Sequence, residues 1–142
     1  PRRHPIMNQP RKPLFTLRLD LGYRALLPVW RELFRRATLR EDALSGFELE
    51  VTYENGRLPV GDGDAIAMVQ LKGPGTIVAS LPEPCHAVEV MEGRNLTVRA
   101  AHVVAWSGRL LPRALFASEA PAGARGLCAF TGEGMVLLDG RR

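Results

Sequence analysis

The residues best equipped for chemistry are few: the histidines His4, His86 and His102, and the cysteines Cys85 and Cys128. Cys85 and His86 are neighbours in the chain, and adjacent side chains on a strand point to opposite faces. They are therefore badly placed to act as a thiol and its base. A strand-borne metal site of the cupin kind needs two histidines two positions apart with a following carboxylate, and that spacing is absent. Ser80, Ser107 and Ser118 have no nucleophile elbow around them. No two carboxylates stand at a spacing suited to paired acid–base work. These residues name no reaction, and the expectation is a protein that is not an enzyme and uses no cofactor or metal.

Three glycine motifs invite a ligand reading. Gly73-Pro74-Gly75 suggests a phosphate cradle, but such a cradle needs glycines leading into a helix N-terminus, where free N–H groups converge on the anion. Here they lead into the apolar run Thr76-Ile77-Val78. The same pattern returns at Gly132-Glu133-Gly134, again followed by an apolar run. Gly73, Gly75, Gly132 and Gly134 are read as structural turn glycines, each pair opening a short strand in one of two related halves. The acidic run Gly61-Asp62-Gly63-Asp64 lacks the length and the terminal Glu of a calcium loop, and reads as a turn.

The elements that position these residues are mostly strands. A chain of 142 residues, 46% hydrophobic, suits one domain with a real core. No apolar run approaches the ~20 residues of a membrane helix. Residues 1–13 are basic and proline-rich without an apolar segment, so they read as a mobile arm rather than a signal peptide. Pro1 to Ile6 precede Met7 and read as an addition to a chain starting at Met7. Two distant cysteines suit a reducing compartment, and the cytoplasm is expected. The net charge of +4 is concentrated toward the ends, in Arg2, Arg3, Arg11, Lys12, Arg141 and Arg142.

From residue 14 onward, alternation dominates. Residues 15–21 and 47–53 alternate apolar and polar positions, as half-buried strands do. Between them, Leu26, Trp30, Leu33, Phe34 and Ala37 fall at helical spacing behind Pro28, which predicts one amphipathic helix. Its polar face would carry Arg31, Arg35, Arg36 and Arg40, a candidate interaction surface. Ser45-Gly46 reads as a break, and Asn55-Gly56 as a tight turn. Further short strands are expected over 65–71, 75–81, 86–90, 95–99, 103–106, 113–118, 126–130 and 134–138. Roughly ten short strands with closely spaced turns predict an all-β sandwich or barrel spanning 14–142.

The stretches GPGTIVASL (73–81), LTVRAAHVVAW (96–106) and FTGEGMVLL (130–138) resemble the altered-inheritance-of-mitochondria family, the mitochondrial biogenesis type. The resemblance spans residues 65–139. It implies a β-sandwich, jelly-roll-like and similar to the subunit of the tryptophan RNA-binding attenuation protein, in a small cytoplasmic protein that self-associates. It supplies no catalytic residues. The expected function is a scaffold or regulatory subunit acting through self-association or a protein partner. The alternative is a nucleic-acid-binding module using the arginine-rich helix and the basic arms, whose affinity would fall steeply with salt.

Overall fold

The computed structural model describes residues 14–19, 36–61, 64–82, 84–116, 118–121 and 124–141. Within them the chain forms ten strands: β1 Leu14–Leu19, β2 Arg36–Arg40, β3 Leu44–Phe47, β4 Thr52–Gly61, β5 Asp64–Lys72, β6 Gly75–Ser80, β7 Cys85–Val90, β8 Leu96–Arg99, β9 Val103–Ala114 and β10 Leu127–Asp139. The only helical elements among the described residues are single 3-10 turns at Glu41–Ala43 and Ala100–His102. The expected all-β class is therefore the observed one.

Every pairing is antiparallel. A three-stranded sheet has the order β1-β6-β3; a seven-stranded sheet runs β4-β5-β2-β9-β10-β7, with β8 also on β10. The strand β10 is the long axis of the larger sheet. It pairs with β9 along nearly its whole length, with β8 over its first part, and with β7 over its last.

The two sheets share a core. Ile77 and Ala79 of β6 bury against Ala37 and Leu39 of β2, Val69 and Leu71 of β5, and Ala105 of β9. A second apolar cluster forms where the larger sheet curls on itself. Leu58 and Met68 from one end join Trp106, Leu110, Phe130 and Val136 from the other, and β4 touches β9 and β10 directly. Trp106 and Phe130 meet edge to face, 5.1 Å between ring centroids, an arrangement that adds about 1 kcal/mol to their burial. A register shift between Leu137 and Leu138 leaves Val104 as an extra residue on β9. That bulge explains why Val103 and Trp106 serve the second cluster while Val104 and Ala105 serve the first.

Several expectations are corrected. Residues 36–40, expected at the end of the helix, are strand β2. Ala37 and Leu39 are buried while Arg36, Thr38 and Arg40 are not, so a period of two wins over the helical spacing once β5 and β9 flank the segment. The rest of the predicted helix, with Arg31 and Arg35, lies outside the described residues, as does the 1–13 arm. Gly46 lies within β3, at a register shift, rather than in a break. The strand expected over 47–53 is interrupted by a turn at Leu49–Glu50. Asn55-Gly56 is not a turn but the middle of β4. There the missing Cβ makes room for the Gln70 side chain, whose Nε2 lies 3.0 Å from where that Cβ would be. Pro59 is tolerated because β4 is an edge strand. The strand expected over 103–106 and the first two residues of that expected over 113–118 fall in the single strand β9, which ends at Ala114, and those expected over 126–130 and 134–138 merge into β10.

Candidate functional site

The face of the larger sheet that turns away from the smaller one carries a gradient of polarity. Across the strands, Thr38 pairs with both Gln70 and Trp106, and Gln70 pairs with Glu54. One row further, Lys72 pairs with both Arg36 and Thr52. These positions share a face because each is two residues from the next along its strand. Trp106 marks the boundary: beyond it lie the buried Leu110 and Phe130, and before it the polar rows.

At that boundary the surface sinks into a groove of about 500 Å³, a volume within the range of small-molecule sites. One wall is apolar, formed by Trp106, Leu110, Leu111 and Pro112. The other is polar, with Thr38, Thr52 and Gln70. Among the described residues, the charged side chains lining it are Arg36, Arg57, Lys72 and the carboxylate Glu54. Neither Arg57 nor Lys72 makes an ion pair among the described residues. Ser107 on the same wall donates its hydroxyl to the Arg36 carbonyl at 2.7 Å, and so tethers β9 to β2 at the groove.

Of the residues singled out for chemistry or binding in the sequence that are described, only Arg36 and Ser107 line this groove; His4, Arg31 and Arg35 lie outside the described residues. Arg40 sits on the same strand, but its guanidinium donates to the carbonyl of Val103 at 2.8 Å and to that of Ala101. Its work is to hold β2 against the 3-10 turn that precedes β9. Gly73 and Gly75 do form a turn, carrying the chain from β5 to β6. Gly132 and Gly134 do not: both lie inside β10, so the pairing of two turn-then-strand halves is corrected. A Cβ on Gly132 or Gly134 would fall 2.1 or 2.2 Å from a β9 carbonyl oxygen, that of Arg109 or Ser107. These glycines exist for close approach of two backbones.

Cysteine and histidine chemistry is similarly dispersed. Cys128 is fully buried in the second cluster, and burial pushes its thiol up to about 11. Cys85 is half-buried opposite Asp139; burial first, then the Asp139 charge, raises its pKa. Both thiols are thus held away from the thiolate that a nucleophile needs. Among the described residues, no three His, Cys, Asp or Glu side chains come together as a metal-holding group. A second, much smaller hollow near Arg40 and Ser80 is bordered by Asp139 and Arg141, which pair with each other at 2.9 Å.

The family model for mitochondrial biogenesis AIM24 matches residues 40–141, from the end of β2 through β10. The chain belongs to this family. The match takes in both apolar clusters except for Ala37 and Leu39, so among the described residues the AIM24 region carries nearly all of the core and most of the groove. No curated protein matches the chain. Among solved structures, a crystal structure of a Streptococcus pyogenes protein is similar in fold, with a TM-score of 0.63 and 20% identity. The likeness covers 92% of this chain and 55% of the streptococcal one, so the AIM24 chain described here spans about half the length of that relative.

The groove was missed in the sequence. Its residues come from β2, β4, β5 and β9, and only the insertion of β2 between β5 and β9 brings them together. The available signal was the alternation of Gln70 and Lys72 with buried Val69 and Leu71, which marks a polar face on a central strand.

Proposed function

We propose that this AIM24-family chain is a non-enzymatic β-sandwich that acts by self-association, as a scaffold or regulatory subunit. The observation that carries this reading is an exposed apolar corner beside an open sheet edge. Phe47 and Tyr53 stack at 5.7 Å, each about two-fifths exposed, and Leu49 stands 97% exposed on the turn between them. Next to them β4, ten residues long, ends the larger sheet among the described residues. A long edge strand flanked by exposed apolar side chains is a ready template for pairing with another chain. The shared core of the two sheets supports the sandwich reading, and with it the likeness to the attenuation-protein subunit. Two free thiols support a reducing compartment, the cytoplasm.

The test is mass by light scattering after size exclusion, at low and high salt, with the absorbance ratio that reports nucleic acid. The wild type is expected to form a discrete, salt-indifferent oligomer free of nucleic acid, and Leu49→Asp is expected to break it. A wild-type monomer at every concentration would overturn the reading. A monomer carrying nucleic acid that salt strips away would favour the alternative of a nucleic-acid-binding module. That alternative has lost its helical presentation of Arg36 and Arg40, because both lie on β2.

A further inference from the structure

We propose that the groove between Trp106 and Lys72 binds a small amphiphilic anion, one carboxylate or phosphate group on an apolar body. The two halves of such a ligand match the two halves of the groove. Its apolar body would lie along Trp106, Leu110 and Pro112, at the edge of the second core cluster. Its charged end would face Lys72 and Arg57, which make no ion pair among the described residues, with the Thr52 hydroxyl and the Gln70 amide as further polar partners.

Charge decides the sign of the ligand. Among the described lining residues, Arg57 and Lys72 against Glu54 leave the groove net positive, and a partly enclosed site of one sign focuses its field on the opposite charge. A volume of about 500 Å³ suits a single small molecule. Gly56 contributes indirectly: its bare Cα leaves room for the Gln70 side chain beside β4.

The experiment uses a pair of fluorescent probes with nearly the same aromatic body. Anilinonaphthalene sulfonate carries an anionic group; phenylnaphthylamine does not. The expected result is saturable binding of the sulfonate at one site per chain, at least about tenfold tighter than the neutral probe, a ratio typical of one good charged contact. Lys72→Glu with Arg57→Glu should remove that preference while leaving the neutral probe's affinity unchanged. Thr38→Trp, which fills the groove, should abolish both. Displacement with octanoate, octyl phosphate and octanol then identifies the head group: whichever anion displaces at lower concentration is the better mimic, and octanol should be weakest.

Equal affinity for the two probes, non-saturable binding, an unchanged preference in the double charge reversal, or displacement by octanol as strong as by either anion would each overturn the proposal. The substituted side chains lie at or near the surface, and far-ultraviolet circular dichroism of each variant confirms that lost binding is not lost fold. Repeating the titration in Leu49→Asp separates this site from self-association: binding that survives there belongs to the groove of a single chain, and binding that disappears overturns the assignment.

Discussion

Two stretches that look alike in the sequence, Gly73-Pro74-Gly75 and Gly132-Glu133-Gly134, do different work in the structure. The first is a true turn that moves the chain from the larger sheet to the smaller. Gly75 has φ +142°, and a Cβ there would lie 2.5 Å from Cγ2 of the buried Val51. The second runs straight through the middle of β10 with its pairing to β9 unbroken. Gly132 has φ +113° and Gly134 lies opposite Gly108, itself at φ +104°. Gly75 answers a side chain, Gly132 and Gly134 a backbone. A side chain can be trimmed or moved; a carbonyl held in a ladder cannot.

The sharpest way to break this comparison is to give each glycine a methyl group. Gly132→Ala and Gly134→Ala put a carbon within 2.2 Å of a β9 carbonyl oxygen, and Gly132 adds the cost of a positive φ, about 1–3 kcal/mol. Each variant is expected to lose about 3 kcal/mol or more, or to be recovered only as insoluble protein. Urea denaturation measures it. A loss below about 1 kcal/mol at both positions would mean that β9 and β10 can part without penalty, and the distinction between the two motifs would fail.

Gly75→Ala is expected to cost less, about 1–3 kcal/mol, because the obstacle is a valine methyl. Val51→Ala removes that methyl but also buried apolar volume, at about 1–3 kcal/mol on its own. The double variant should then be more stable than the sum of the singles by about 1 kcal/mol. Additivity within error would show that Gly75 is required for its backbone angle alone.

The turn is also held from outside, by Glu48. Its N–H donates to the Thr76 carbonyl at 3.0 Å, and its carboxylate accepts from the Thr76 N–H at 2.6 Å. Glu48→Ala should cost about 1 kcal/mol, with Glu48→Gln recovering most of it through the amide oxygen. Equal losses in the two variants would place the effect in charge rather than in this reciprocal pair of bonds.

How much of this was legible follows from distance along the chain. Strands β5, β6, β7 and β8 were readable because each reports itself locally, by an apolar run or alternation bounded by Gly, Pro or Asn. The length of β9 and β10 was not. Gly108, Gly132 and Gly134 punctuate a sequence as turns do, and only the partner strand shows that Gly132 and Gly134 relieve a backbone contact. The strand β2 was lost for a related reason: Ala37 satisfies a helical and an alternating pattern equally, and its pairing with β5 and β9 is non-local. The groove depends on that same insertion, so it stayed hidden although each of its strands but β2 was at least partly predicted.

The far end of β10 supplies the smallest effect and a last test of how differently the two stretches are anchored. Where the first is held by the paired Glu48–Thr76 bonds, the second ends in a surface ion pair, Asp139 accepting from the Arg141 guanidinium at 2.9 and 3.0 Å and from its N–H at 2.9 Å. These bonds hold the Asp139 carboxyl down at about 2. A carboxylate whose folded pKa is depressed stabilises the fold fully above its ordinary range, and that contribution is lost as pH falls through the folded value. Arg141→Ala should therefore lower stability slightly at pH near 7, where surface pairs contribute little, and the difference from wild type should shrink between about pH 4 and pH 2. Urea denaturation of both proteins across that range tests it, together with an NMR titration of Asp139. A difference that persists unchanged at the acidic end would assign the role of Arg141 to the packing of its stem rather than to its charge.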